Sequence, residues 1–378
     1  MPERPSQYLE SRLRTAEVIL SHYDGTLPFP LHLKAFFRHN RRYGSRDRRE
    51  VAALCFGYFR LGHALLGLPM RQRIEAGMLI DTADGAFDAL TDRHPDFHLE
   101  DILPIRDLLS AGLDNSSFLH SHLRQPELFI RIRPGRRKEV LHTITSSGIP
   151  CREISETTLA VPNGSSLEVL GRPDDAYVVQ DLSSQRTADW MPPPEALPAK
   201  PLVRDVCAGS GGKSLLAWDR YPGARIEASD SRASIIANLE VRFRTAGIMD
   251  FYASVEDITV ISTQKKDSRR FDLVIVDAPC TGSGTWSRTP WDLLLFDPSS
   301  VDHYTILQRR IAAAAAPLVR PGGHLLYITC SAFAAENEGV SAFIAAECGL
   351  LPVRSGLLPG YMQRADTMYA ALFTSDGR

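Results

Sequence analysis

The stretch "PLVRDVCAGSGGKSLLAWDRYPGARIEASD" (201–230) decides the fold. "LVRDVC" reads as a short apolar strand, "AGSGG" as a glycine turn, "KSLLAWDRY" as a helix and "ARIEASD" as a second strand. The rhythm continues with helix "SRASIIANLEVRFRTAG", strands "DFYASV" and "FDLVIVDAP", helix "YTILQRRIAAAAAPLV" and strand "GGHLLYITC". Such alternation predicts an α/β fold, Rossmann-like, with a mostly parallel sheet covered on both faces. Ligands of such sheets bind beyond the carboxyl ends of the strands. Cys207, Asp230, Asp277, Cys280 and Cys330 each end or directly follow a strand.

The glycine run admits two ligands. A phosphate loop of the G-x-x-x-x-G-K-[ST] type needs its first glycine at position 207, and Cys207 stands there. A dinucleotide fingerprint needs a third glycine where Ser214 stands. The sulfonium reading asks only for close backbone approach at Cys207, Ala208, Gly209, Ser210, Gly211, Gly212 and Lys213, with acids further on. Asp230, 21 residues after Gly209, ends the second strand, where a carboxylate can accept both ribose hydroxyls. Asp257, with Glu256 as its alternative, follows the third strand and can receive an adenine amino group. Asp230 can also cap the following helix, and the two roles are compatible.

Two cysteines lie in distinctive phrases, "VIVDAPCTGSGTW" (274–286) and "LLYITCSAFAAENE" (325–338). Carbon 5 of a pyrimidine is too poor a nucleophile to take a methyl group directly. A thiolate adding at carbon 6 turns the ring into an enamine, whose carbon 5 can attack. A base must then remove the carbon-5 proton, and an acid at ring nitrogen 3 stabilises the charge that develops. Cys330, Cys280 and Asp277 can fill these posts. A lone cysteine at a strand end is usually a small buried hydrophobe; two beside a cofactor loop point to chemistry.

The rest of the chain sets the context. Its 378 residues suffice for two or three domains, and hydrophobic and charged contents of 44% and 23% are ordinary for a soluble protein. Net charge is −2, yet Lys34, Arg38, Arg41, Arg42, Arg46, Arg48 and Arg49 crowd one segment. Arg131, Arg133, Arg136, Arg137 and Lys138 crowd another, and both clusters suit a phosphate backbone or a solvated face. The six cysteines include no C-x-x-C pair, so no structural zinc is expected. With no signal-peptide pattern and no run of about 20 apolar residues, a cytoplasmic protein with reduced thiols and no membrane partner is expected, as a monomer. Residues 8–120 read as mostly helical, including "REVAALCFGYFRLGHALLGL" (49–68) and "FHLEDILPIRDLLSAGL" (97–113), broken at Pro104. A small α/β module follows over about 124–175, and "PPPEALPAKP" (192–201) reads as a rigid linker.

The phrases "QDLSSQ" (180–185), "DVCAGSGGKS", "DAPCTGSGTW" followed by "RTPW", and "YITCSAFAAENE" together resemble the RsmB/Nop/Sun RNA cytosine-5 methyltransferases over about residues 177–345. The resemblance implies a class I methyltransferase fold over 176–378, S-adenosyl-L-methionine as cofactor, and RNA as partner: ribosomal RNA first, transfer RNA as a further option. It implies Cys330 as nucleophile, Cys280 as the thiol that helps release product, and cofactor contacts at Asp230, Asp257 and Asp277. The family loop C-A-A-P-G-G-K matches Cys207 to Lys213, except for Gly209 and Ser210. Its terminal D-G-F-F-I-A strand is replaced by "RADTMYAALF" (364–373), which lacks the glycine after Asp366. Residues 1–123 resemble, more loosely, the NusB-like RNA-binding domain of the bacterial ribosomal members. Arg288 and the two basic segments would then hold the RNA backbone. The alternative function is an RNA-binding assembly factor with a degenerate methyltransferase fold.

Overall fold

The computed structural model describes residues 7–80, 86–260 and 269–377. The outermost residues of the expected domains, 1–6 and 378, lie outside the described residues. The chain forms two compact units. One holds residues 1–107, 114–125 and 286–298; the other holds 108–113, 126–285 and 299–378. The stretch expected as a helical domain, 1–123, therefore gives up 108–113 and gains 286–298.

The first unit is helical: α1 (Gln7–Ser21), α2 (Phe29–His39), α3 (Ser45–Arg60), α4 (Met70–Gly77), α5 (Ala86–Arg93) and α6 (Asn115–His122). Apolar residues four apart put Phe29, Leu33 and Phe37 on the buried stripe of α2. Around them Phe29 and Phe59 meet edge to face with centroids 4.7 Å apart, a favoured aromatic geometry. The helix expected over 49–68 stops at Arg60. The one expected over 97–113 is replaced by single 3-10 turns at Leu99–Ile102 and Arg106–Leu108. Pro104 disfavours the helical conformation of Leu103, which is extended (φ −136°, ψ 96°). Segment 286–298 carries the short helix Pro290–Leu294, and Trp291 packs with Phe29 and Phe56 in this unit's core. Buried Arg60 secures the segment: its Nη1 donates to the carbonyls of His122 (2.9 Å), Arg124 (3.0 Å) and Ser287 (2.9 Å).

The second unit holds two sheets. The smaller consists of β1 (Leu128–Ile132), β2 (Arg152–Ser155), β3 (Thr158–Val161) and β4 (Tyr177–Val179), antiparallel in the order β2-β3-β1-β4. Helix α7 (Arg137–Ser146) covers it through Val140 and Ile144. The stretch expected as a small module, about 124–175, holds β1 to β3 and α7, and the sheet's last strand, β4, lies past 175. Next come α8 (Leu182–Arg186), β5 (Leu202–Asp205), α9 (Gly212–Arg220), β6 (Arg225–Asp230), α10 (Ala233–Thr245), β7 (Phe251–Val255) and β8 (Phe271–Asp277). The chain ends with α11 (Ser299–Ala315), β9 (Val319–Thr329), α12 (Glu338–Glu347), β10 (Leu350–Pro359) and β11 (Thr367–Ser375).

These strands form a seven-stranded sheet in the order β10-β11-β9-β8-β5-β6-β7. Strands β5 to β9 run parallel; β11, beside β9, is antiparallel to them, and the edge strand β10, antiparallel to β11, runs parallel to them again. Alternation along β8 sends Leu273 and Ile275 to the face packed with α9 and α10, and Val274 and Val276 to the face packed with α11 and α12. From β5 the chain winds outward through β6 and β7, then returns to place β8 on the other side of β5. The switch point therefore lies at the carboxyl ends of β5 and β8, where a Rossmann-like sheet opens a crevice. Among the described residues no helix is long and apolar enough to cross a membrane.

Candidate active site

A cleft of about 560 Å³ opens at that switch point. Cys207, Gly209, Asp230, Glu256, Asp257, Asp277, Cys280 and Cys330 all line it. Ala208, Ser210, Gly211, Gly212 and Lys213 do not; they build the turn that shapes it. Gly211 has φ +86°, and a Cβ there would stand 2.7 Å from the Phe243 ring, so only glycine fits. Ser214 Oγ donates to Asp205 Oδ2 (2.6 Å), tying the first turn of α9 to the end of β5. Burial pushes the Asp205 carboxyl up to about 7. Lys213 Nζ donates to Ser184 Oγ (2.7 Å) and lies 3.3 Å from Asp277 Oδ2. The lysine thus joins Asp277 to the "QDLSSQ" turn. In the same turn Asp181 Oδ1 caps Ser183 N, and Asp181 Oδ2 accepts from Asp366 N at 3.0 Å, anchoring the start of β11.

The acids of the cleft differ in availability. Burial would raise the Asp230 carboxyl, but hydrogen bonds from Arg232 and Gly209 N prevail and hold it below the usual carboxylate range. The exposed Arg232 guanidinium bonds both Asp230 oxygens, at 2.9 and 3.0 Å, and a ribose would have to share them. Asp257 is exposed, and its Oδ1 closes a local turn on Thr259. Glu256 is committed to Arg204 (2.7 Å) and Ser254 (3.0 Å). Of the two alternatives, Asp257 therefore has the freer carboxylate. Burial, then the nearby carboxylates, pushes the Cys207 thiol well up, so Cys207 lines the cleft as a neutral group.

The two other thiols meet. Cys280 Sγ and Cys330 Sγ are 3.2 Å apart, in hydrogen-bond contact and not joined as a disulfide, both half-buried on the cleft wall. The contact with Cys330 first, and burial second, pushes the Cys280 thiol well above its ordinary value. Both loops hang on Glu336, which is fully buried. Its Oε1 accepts from Thr281 N (2.9 Å) and Gln308 Nε2 (3.0 Å); its Oε2 accepts from Thr281 Oγ1 (2.6 Å) and from Ser331 Oγ. Thr281 and Ser331 directly follow the two cysteines. Gly284 lets the Cys280 loop pass: a Cβ there would stand 1.9 Å from the Thr367 carbonyl oxygen, while Gly284 N donates to the Cys330 carbonyl (2.9 Å). Sequence reasoning named the cysteines and missed Glu336, although it lies inside the quoted "AAENE"; its partners are up to 55 residues away.

The basic clusters separate. Lys34, Arg38, Arg41, Arg42, Arg46 and Arg49 are exposed. The expectation that segment 131–138 offers a cationic face is corrected: Arg131 and Arg133 are buried and share Asp219, at 2.5 and 2.9 Å. Arg136 pairs with Glu139 and Asp175, and Arg137 with Glu153. Strand alternation hid this, because the partner of β1 is 86 to 88 residues away on α9. Arg288 lies half-buried in the segment that belongs to the helical unit.

A mostly parallel sheet with one reversed strand, β11, inserted between β10 and β9, and an acid-lined crevice at its switch point, is the Rossmann-like fold of class I methyltransferases. Residues 197–347 match the family model described as 16S rRNA methyltransferase RsmB/F. The match covers this one domain, less than half of the chain, and makes it similar to that family. Ribosomal RNA small subunit methyltransferase B of Xanthomonas campestris is 34% identical over 168 residues, 44% of this chain and 37% of that protein. A putative methyltransferase of Mycobacterium tuberculosis is 31% identical over 255 residues, 62% of this chain and 50% of that protein. The chain thus spans half or less of the length of these relatives. The crystal structure of PH0851 shares the fold, with a TM-score of 0.68 at 19% identity over 96% of each chain.

Proposed function

We propose that this protein transfers a methyl group from S-adenosyl-L-methionine to carbon 5 of a cytosine in structured RNA, with small-subunit ribosomal RNA as the substrate. The 3.2 Å approach of two thiols on the wall of an acid-lined cleft carries the reading. Transfer to nitrogen or oxygen needs no thiol; transfer to carbon 5 needs one to activate the ring and a route to expel it.

The cleft suits the cofactor. Its volume lies in the range of nucleoside-sized ligand sites. Asp230 ends the second strand, where ribose hydroxyls can be held, and Asp257 offers an acceptor for an amino group. When bound, S-adenosyl-L-methionine supplies an electrophilic methyl group. The protein does the rest on the target base, which must leave its stack to expose both faces. Cys330 adds its sulfur to carbon 6 while Asp277, held by Lys213, stabilises the charge at ring nitrogen 3. Carbon 5 is then nucleophilic and takes the methyl group. Loss of the carbon-5 proton to a base breaks the C6–S bond and frees Cys330. Cys280, at the side of that sulfur, is assigned to this release. The helical residues 1–123, with the exposed basic segment 34–49, are read as the NusB-like RNA-binding domain.

The test uses both thiols. Cys330→Ala should abolish methylation and any covalent RNA adduct. Cys280→Ala should retain adduct formation but stall release, leaving an RNA–protein band that survives denaturing electrophoresis. Normal product release by Cys280→Ala would overturn the assignment of roles.

A further inference from the structure

A second cleft, of about 510 Å³, lies between the small sheet and helices α8 and α9, apart from the cleft holding the thiols. Three arginines line it: Arg131 of β1, Arg186 at the end of α8 and Arg220 in the last turn of α9. Arg131 is 6% exposed; its Nε donates to Gln180 and its Nη1 to Asp219, but its buried Nη2 has no partner. Arg220 likewise buries an unpartnered Nε. Arg186 is half-buried, and its side chain makes no hydrogen bond or ion pair among the described residues. The acids on the wall do not balance these charges. Asp219 is already shared by Arg131 and Arg133, and Asp189 stands exposed at the rim.

A buried guanidinium N–H without an acceptor is costly, and more so than a neutral donor. Two such donors beside a third, unpaired arginine form a cavity short of oxygen acceptors. Guanidinium forks match phosphate geometry, with several charge-assisted bonds to one tetrahedral group. Helix α9 starts at the cofactor loop and ends at Arg220, so the cleft lies roughly 12 Å along the helix axis from that loop. The two clefts share no lining residue, so this one is separate from the candidate cofactor site.

We propose that this arginine cleft holds a backbone phosphate of the bound RNA. The inference rests on the reading of the chain as an RNA enzyme. Its test does not, because a phosphate contact is independent of sequence and can be measured without turnover. Binding of fluorescein-labelled oligouridine to the full chain is followed by anisotropy across a sodium chloride series. Arg186→Ala should weaken binding about three- to tenfold, the loss of one charge-assisted contact. It should also flatten the slope of log K against log salt by about 0.7, one released counterion on a single strand. Arg186→Lys should restore the slope while recovering only part of the affinity, since an ammonium keeps the charge without the fork. Arg220→Gln provides a second variant with the same expected direction. An unchanged slope in Arg186→Ala overturns the proposal. So does a thermal shift by inorganic phosphate that Arg186→Ala abolishes while leaving the oligouridine slope intact, since the cleft would then serve a free anion.

Discussion

Glu336 can be removed in two ways that separate its roles as acceptor and as charge. In Glu336→Ala the Thr281 N–H and the Gln308 amide lose a buried acceptor, whereas the Thr281 and Ser331 hydroxyls can turn toward Ser283. At about 1–3 kcal/mol for each unsatisfied donor, the loss is about 2–6 kcal/mol. Glu336→Gln keeps an oxygen for those two fixed donors and presents its NH₂ to the hydroxyls, which can accept; about 1 kcal/mol is expected. The effect on activity should follow the same order. Thr281 and Ser331 adjoin the thiols, and a displacement of about 1 Å can cost about 100-fold in rate. Glu336→Ala should lower kcat by about that factor, Glu336→Gln by less than about tenfold, and neither should change the KM for the cofactor much, as Glu336 does not line the cleft. Urea denaturation and radiolabelled methyl incorporation measure the two quantities. A wild-type kcat in Glu336→Ala, or equal damage in both variants, would refute the staple.

Asp205 gives a pH signature. Its folded value near 7 against an ordinary value near 4 means that the folded state holds the extra proton in between, so stability falls as pH rises through that window and is level above it. Asp205→Asn should remove about 2–4 kcal/mol of this dependence, seen in urea midpoints at about pH 5 and about pH 8; an unchanged difference would sink the assignment. Arg232 gives a binding signature. Its exposed pair with Asp230 contributes about 0–1 kcal/mol, so Arg232→Ala should tighten cofactor binding by up to about fivefold in calorimetry. A tenfold weakening would instead make Arg232 a cofactor ligand.

What the sequence disclosed followed from locality. Strands β5 to β9 and their helices were legible because each is a short periodic run closed by its own turn. Cys280, Cys330 and the acids were legible because they fall at strand ends. The misread features depend on distance along the chain. Arg131 and Arg133 resembled a solvated cluster because nothing near them in sequence announces Asp219. Leu99 to Leu108 resembled a helix because apolar spacing says nothing of how far one proline propagates. The exchange of 286–298 and 108–113 between the two units leaves no local mark at all.

That exchange constrains protein engineering. Segment 286–298 begins a few residues past Cys280, yet Trp291 ends in the aromatic core beside Phe29 and Phe56. Deleting residues 1–107 would strand an indole and leave Ser287 without the guanidinium that grips it. A chimera that borrows its helical half from a relative must also graft this hook, so it needs splice junctions on both sides of 286–298 as well as near 125.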